Sequence, residues 1–170
     1  MSKEEVDFDS IERQVASATI DSVIEPLRIA IVGCRDYDDY KYFGEMVDQY
    51  LQQVKDLYPN RPIELYSGGA PGIDDMAEDY AQDHNYPFKR IDADWEKDPK
   101  IAGFIRNQKL AESVEWVLSF WDGLSTGTAD MRNRAMSLRR RLRTIRIVKT
   151  SKRYHCRRKL QEWSRKKRGE

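Results

Sequence analysis

Cysteine is nearly absent: Cys34 and Cys156 are the two in 170 residues. Two thiols without metal-ligand spacing exclude a disulfide framework and a cysteine-based metal centre. Histidine is equally scarce, and neither His84 nor His155 has a partner at ligand spacing, so no metal and no cofactor is expected. No apolar run reaches the length of a membrane span. The first residues carry acids where a secretion signal carries bases followed by an apolar stretch. The chain is therefore expected to be soluble and cytoplasmic, with no membrane partner. An overall charge excess is lacking too, since 30 basic and 29 acidic residues leave a net +1. The balance is uneven, however. Residues 1–26 hold seven acids against Lys3 and Arg13, and residues 151–170 hold nine bases against Glu162 and Glu170. Such asymmetry suits a nucleic-acid or protein partner, or attraction between the two ends.

The length fits one domain with a real core. Three segments are expected: an acidic N-terminal arm at 1–26, a central domain at 27–150 and a basic C-terminal tail at 151–170. Within the arm, Val6, Phe8 and Ile11 offer a weak amphipathic turn. The run Leu27 to Val32, ended by Gly33, reads as a buried strand. Residues 39–57 place Tyr42, Phe43, Met46, Val47, Tyr50, Leu51 and Val54 at helical spacing. Ile63 to Tyr66 forms a second strand. A second helix starts near Gly72 and ends by Tyr86-Pro87. Phe88 to Ile91 is a short third strand, Ile101 to Ser113 a third helix and Val114 to Trp121 a fourth strand. Thr128 to Arg140 is read as a fourth helix and Thr144 to Val148 as a fifth strand. Strands alternating with helices imply an α/β fold with a parallel sheet and right-handed crossovers.

Three glycine-bearing turns fall at the carboxyl ends of the first, second and fourth strands, where an open α/β sheet builds its ligand pocket. The first is Gly33-Cys34-Arg35-Asp36-Tyr37. Arg35 offers a bidentate partner for phosphate, or pairs with Asp36 or Asp38 at the surface. Cys34 has no histidine nearby in sequence and reads as a small residue in a tight turn rather than a nucleophile. The second is Ser67-Gly68-Gly69-Ala70-Pro71-Gly72-Ile73-Asp74. Its glycines allow close approach of a ligand to the backbone, and the following helix start suits an anion. It is equally compatible with an ordinary strand-to-helix turn. The third is Asp122-Gly123-Leu124-Ser125-Thr126-Gly127-Thr128. Here hydroxyls and main-chain N–H groups together suit a phosphate, and Ser125, Thr126 or Thr128 equally serves as a helix cap. Arg106-Asn107, in the third helix, supplies a guanidinium and an amide side by side, for phosphate or ribose oxygens or for a solvated helix face. Trp95 is read as packing or as a stacking surface for a base.

In this order the turns, together with Ala93-Asp94-Trp95 and Ala102-Gly103-Phe104-Ile105-Arg106-Asn107, resemble the SLOG superfamily of Rossmann-like proteins, in its YspA/YpsA-related branch. The resemblance covers roughly residues 27–149. It implies a five-stranded open parallel sheet in the order 3-2-1-4-5 with helices on both faces. It also implies a nucleotide or nucleotide-derived ligand at the sheet's carboxyl edge. The ligand-binding set expected on this basis is Gly33, Arg35, Asp36, Ser67, Gly68, Gly69, Gly72, Asp74, Arg106, Asn107, Asp122, Gly123, Ser125, Thr126, Gly127 and Thr128. The LOG phosphoribohydrolases, more distant relatives, carry a glutamate three residues after the Gly-Thr pair. Here Met131 stands at that place, and a thioether cannot act as nucleophile or base.

Binding or sensing of a nucleotide-like small molecule is therefore the expected function. The alternative is an N-glycosidic bond hydrolase acting on nucleoside monophosphates through a rewired acid, with Asp36, Asp74, Asp122 and Asp130 as candidates. The basic tail, with Tyr154 and Trp163 interleaved, reads as a nucleic-acid contact, as a solubilising end, or as a partner for the acidic front of a second subunit. A homo-oligomer is expected only by analogy with other Rossmann-like proteins.

Overall fold

A computed structural model describes residues 24–169. The arm pattern of Val6, Phe8 and Ile11 lies outside the described residues. Five strands form one sheet: β1 (Leu27–Gly33), β2 (Ile63–Ser67), β3 (Phe88–Arg90), β4 (Trp116–Trp121) and β5 (Arg141–Arg146). Every neighbouring pair is parallel, and the order is β3-β2-β1-β4-β5, as the resemblance implied. The helices are α1 (Tyr40–Leu57), α2 (Ile73–Asp83), α3 (Ala102–Ser113), α4 (Thr126–Ser137) and α5 (Arg157–Arg168). No helix among the described residues is long and apolar enough to cross a membrane.

The alternation of β1 explains the layering. Successive side chains leave a strand on opposite faces. Leu27, Ile29 and Ile31 join a core with Phe43, Val47, Leu51, Ile73, Met76 and Tyr80 from α1 and α2. Ala30 and Val32 join a second core with Leu110, Ala111, Met131 and Ala135 from α3 and α4. Burial on both faces is why the central strands read as continuous apolar runs. Each large apolar side chain fully removed from water contributes about 1.5–3 kcal/mol. Asp39 caps α1, its carboxylate accepting the Tyr42 N–H at 2.9 Å.

The fourth strand starts two residues later than the sequence reading, at Trp116, and two elements are shifted by up to three residues. Helix α4 spans Thr126–Ser137 rather than 128–140, because Arg139 adopts a left-handed φ of 54° that stops it. Strand β5 is Arg141–Arg146 rather than 144–148, and among the described residues it sits at the sheet edge, bonded only to β4. Its alternation of arginines with half-buried residues is an edge-strand pattern that a search for apolar runs passes over.

Residues 154–159 lie against the domain, and the rest of α5 is exposed. Cys156 is completely buried, and the Tyr154 ring stacks on Tyr40 at 5.4 Å between centroids. Arg157 pairs with Asp83 at 2.7 Å, Arg158 with Glu78 at 2.9 Å and Lys159 with Asp75 at 2.7 Å. The acids of α2 thus neutralise the first turn of α5, an attraction that counting charges at the two chain ends does not reveal.

Candidate functional site

Strands β2 and β3 extend the sheet to one side of β1, and β4 and β5 to the other. Chain connections after β1 and β4 therefore diverge, and a crevice opens at their carboxyl ends. A cavity of about 440 Å³ occupies that crevice, within the usual size of a small-molecule site. Gly33, Cys34, Arg35 and Asp36 line it from the first turn, Ala70 and Asp74 from the second, and Leu124 to Thr128 from the third. Lys100, Gly103, Phe104, Arg106, Asn107 and Trp95 close another side.

Of the residues expected from sequence, Gly33, Arg35, Asp36, Asp74, Arg106, Asn107, Ser125, Thr126, Gly127 and Thr128 share this one cavity. Ser67, Gly68, Gly69, Gly72, Asp122 and Gly123 stand behind its wall. Ser67 is fully buried, its hydroxyl donating to the Asp74 carbonyl at 3.3 Å. The Gly68 carbonyl accepts a hydrogen bond from the Arg106 guanidinium. A side chain at Gly68 would strike that same guanidinium, so glycine is required there by Arg106. Gly69 has φ +67°, and its carbonyl accepts from Lys159 Nζ at 2.7 Å. Gly72 has φ +83°, donates to the Tyr154 carbonyl at 2.8 Å, and abuts the backbone of Cys34 and Arg35. The second turn thus supports the other turns more than it faces the cavity.

Asp74 ties the turns together. Its carboxylate accepts the Gly33 N–H at 3.3 Å and the Ala70 N–H at 3.4 Å, and Arg106 Nη1 lies 3.7 Å away. Burial pushes its carboxyl above the usual range, with Arg106 and the two N–H groups opposing. Arg106 and Asn107 do not stand open to solvent: both are buried and locked. Arg106 Nε donates to Asn107 Oδ1 at 3.0 Å, and Asn107 Nδ2 donates to the Gly127 carbonyl at 3.1 Å and to Asp130 at 2.9 Å. This pair joins the second turn to the third.

The third turn is set by Asp122, whose Oδ1 accepts the Leu124 and Ser125 N–H groups at 2.9 and 2.8 Å. Burial alone would raise the Asp122 carboxyl, but those N–H bonds and the nearby Cys34 and Lys149 bring it down to about 2. Trp121 Nε1 donates to the Ser125 carbonyl at 3.0 Å. Ser125 occupies the cap position of α4, yet its hydroxyl makes no capping bond and pairs with the Thr128 hydroxyl at 3.1 Å. The first N–H groups of α4 have no intrahelical acceptor by helix geometry, and they open the helix's positive end where Thr126, Gly127 and Thr128 line the cavity. Cys34 is buried and its thiol is pushed up to about 11, chiefly by burial, which disfavours the thiolate.

Lys149 and Arg153 line the cavity from the segment after β5, and the sequence reading placed neither there. Lys149 had a signal, since it follows the fifth strand as the glycine turns follow the others. Arg153 had none. Trp95 is 50% exposed and lies 3.4 Å from where a Gly103 side chain would begin, so it faces the site as an open ring rather than core packing. Asp75, Glu78 and Cys156 bring ligand atoms within 4.8 Å of one another. Lys159, Arg90 and Arg158 already pair with the two carboxylates, and burial raises the Cys156 thiol to about 12. That cluster is ion-paired packing between α2 and α5.

Residues 27–97 match the family model YAcAr, described as the YspA, cpYpsA-related SLOG family. The resemblance read from the turns therefore holds over that stretch, which includes the first two turns and Trp95. A match to that SLOG family suggests nucleotide-related binding or processing. No curated protein and no solved structure matches the chain.

Proposed function

Starting from a YspA-related SLOG fold over residues 27–97, we propose that the cavity binds a nucleotide or nucleotide-derived small molecule without turning it over. One observation carries the reading. A single cavity of about 440 Å³ joins the open N-terminus of α4, the Arg35 turn and the half-exposed ring of Trp95. A phosphoryl group suits the α4 N-terminus and its hydroxyls. A base suits Trp95, by stacking. Binding without turnover is supported by Met131, which is buried where the LOG enzymes carry a glutamate and lines the cavity with a thioether. The protein would then act as a sensor or a sequestering module.

Isothermal calorimetry with AMP, ADP, ADP-ribose and cyclic nucleotides tests it. Saturable binding of at least one, weakened at higher salt, is expected. If the folded protein binds none of them, the reading fails.

A second reading rests on Asp74, a buried carboxyl with a raised proton affinity at the cavity wall, the usual state of a general acid. Of the other candidate acids, Asp130 is engaged by Arg134 and Asn107, Asp122 by its own turn and Asp36 by Arg153. Release of free base from AMP, abolished by Asp74→Asn in a variant that still folds, would favour the hydrolase.

A further inference from the structure

Lys149 and Arg153 lie outside the matched stretch and outside the glycine turns, yet the backbone pins them to the cavity. Thr150 N–H donates to the Asp36 carbonyl at 3.0 Å, and Tyr154 N–H donates to the Tyr37 carbonyl at 3.2 Å. With the Gly72 N–H on the Tyr154 carbonyl at 2.8 Å, the segment is anchored without any help from its charged side chains. Those side chains converge beside Arg35. Arg153 Nε donates to Asp36 Oδ1 at 2.6 Å. Lys149 Nζ lies 3.9 Å from Asp36 Oδ2 and 3.4 Å from Asp122 Oδ2. Among the described residues Arg35 makes no hydrogen bond and no ion pair within 4.0 Å. Asp122 is held by two N–H groups of its own turn, so Asp36, 38% exposed, is the more open acid that Lys149 and Arg153 share at the cavity rim, with the Arg35 charge nearby.

We propose that Arg35, Lys149 and Arg153 form a second anion subsite, distinct from the N-terminus of α4, which receives a further phosphoryl group and makes the cavity prefer nucleoside diphosphate-type ligands over monophosphates. The proposal rests on the nucleotide reading of the same cavity. The chemistry is a competition. A phosphoryl group offers several acceptor oxygens and more than one negative charge. It therefore displaces the single Asp36 carboxylate from a guanidinium built for bidentate contact. Low-dielectric walls concentrate the field of the three cations into the cavity. Asp36 keeps the cations oriented and is the group that yields.

Calorimetry at low salt with AMP, ADP, phosphate and pyrophosphate decides it. Wild-type protein should bind ADP about tenfold more tightly than AMP, roughly one charge-assisted contact, and pyrophosphate more tightly than phosphate. The double variant Lys149→Gln, Arg153→Gln should raise the Kd for ADP about tenfold more than the Kd for AMP. Equal losses for the two nucleotides, or an ADP preference that survives the double variant, overturn the subsite. Asp36→Asn keeps the cations and removes their carboxylate, so ADP affinity should hold or tighten. A loss as large as that of the double variant would mean the cations act only by holding Asp36, and the proposal falls. Thermal melting of each variant checks that it is folded. Pyrophosphate bound through Lys149 and Arg153, with no nucleotide bound, sinks the nucleotide reading and keeps the subsite. Wild-type protein that binds none of the four sinks the subsite.

Discussion

Gly127→Ala is expected to separate nucleotide binding from folding. Gly127 lies in the first turn of α4 and lines the cavity. A methyl group built there meets no atom of the described residues within 4 Å, so it enters open space. Its φ is not left-handed, so alanine fits the backbone without strain. Alanine in a helix is favoured over glycine by roughly 0.5–1 kcal/mol, through the smaller entropy lost on folding. For a chain of this length that raises Tm by about 1–4 °C. On the nucleotide reading, the same methyl would stand where a phosphoryl oxygen approaches the α4 N–H groups. Losing one charge-assisted hydrogen bond costs about 1.5–3 kcal/mol, or roughly 10- to 100-fold in Kd. Calorimetry with the tightest nucleotide found, alongside differential scanning calorimetry, reads both effects. The expected result is a more stable protein that binds worse. A more stable protein that binds as well as wild type would show that the ligand does not contact this helix start. A protein destabilised by more than about 1 kcal/mol would refute the open-space argument itself.

Trp95→Ala should weaken nucleotide binding by about 1–3 kcal/mol, the worth of one base–aromatic stack, while thermal melting stays near wild type because the ring is half exposed. It should leave pyrophosphate affinity unchanged, which calorimetry checks. Arg106→Gln removes the counter-charge of buried Asp74 and the donor to the Gly68 carbonyl; urea unfolding should show a loss of about 3 kcal/mol. Asp122 has its folded carboxyl lowered to about 2, so its stabilising contribution is complete above the ordinary carboxylate range near 3.8 and disappears as pH falls through about 2. Asp122→Asn should therefore lose stability at neutral pH and flatten that acid limb, as Tm measured between pH 2 and pH 6 would show.

Much of this architecture is carried by local pattern. Doubly buried strands read as apolar runs, and Leu27–Gly33 and Ile63–Ser67 stand where those runs put them. Glycines after strands mark turns because a left-handed or closely approached backbone tolerates little else, as at Gly69 and Gly72. That the first and third turns meet follows from β1 and β4 being neighbours, which chain order alone does not state. The folded chain alone assigns the rest. Ser67, Gly68 and Gly72 share a motif with Asp74 but stand behind the wall, because Arg106 from a distant helix fills the space over Gly68. Arg106 and Asn107 look like ligand contacts in a string of letters, yet their hydrogen bonds go to the turns they brace. The C-terminal bases look like an unattached cationic end, yet α2 neutralises three of them and the backbone of Asp36 and Tyr37 fixes Lys149 and Arg153 at the cavity. Periodicity reports which face of an element is buried, because burial repeats with the element's own geometry. Pairing between residues a hundred positions apart leaves no such period, and it emerges only when the sheet brings its strand ends together.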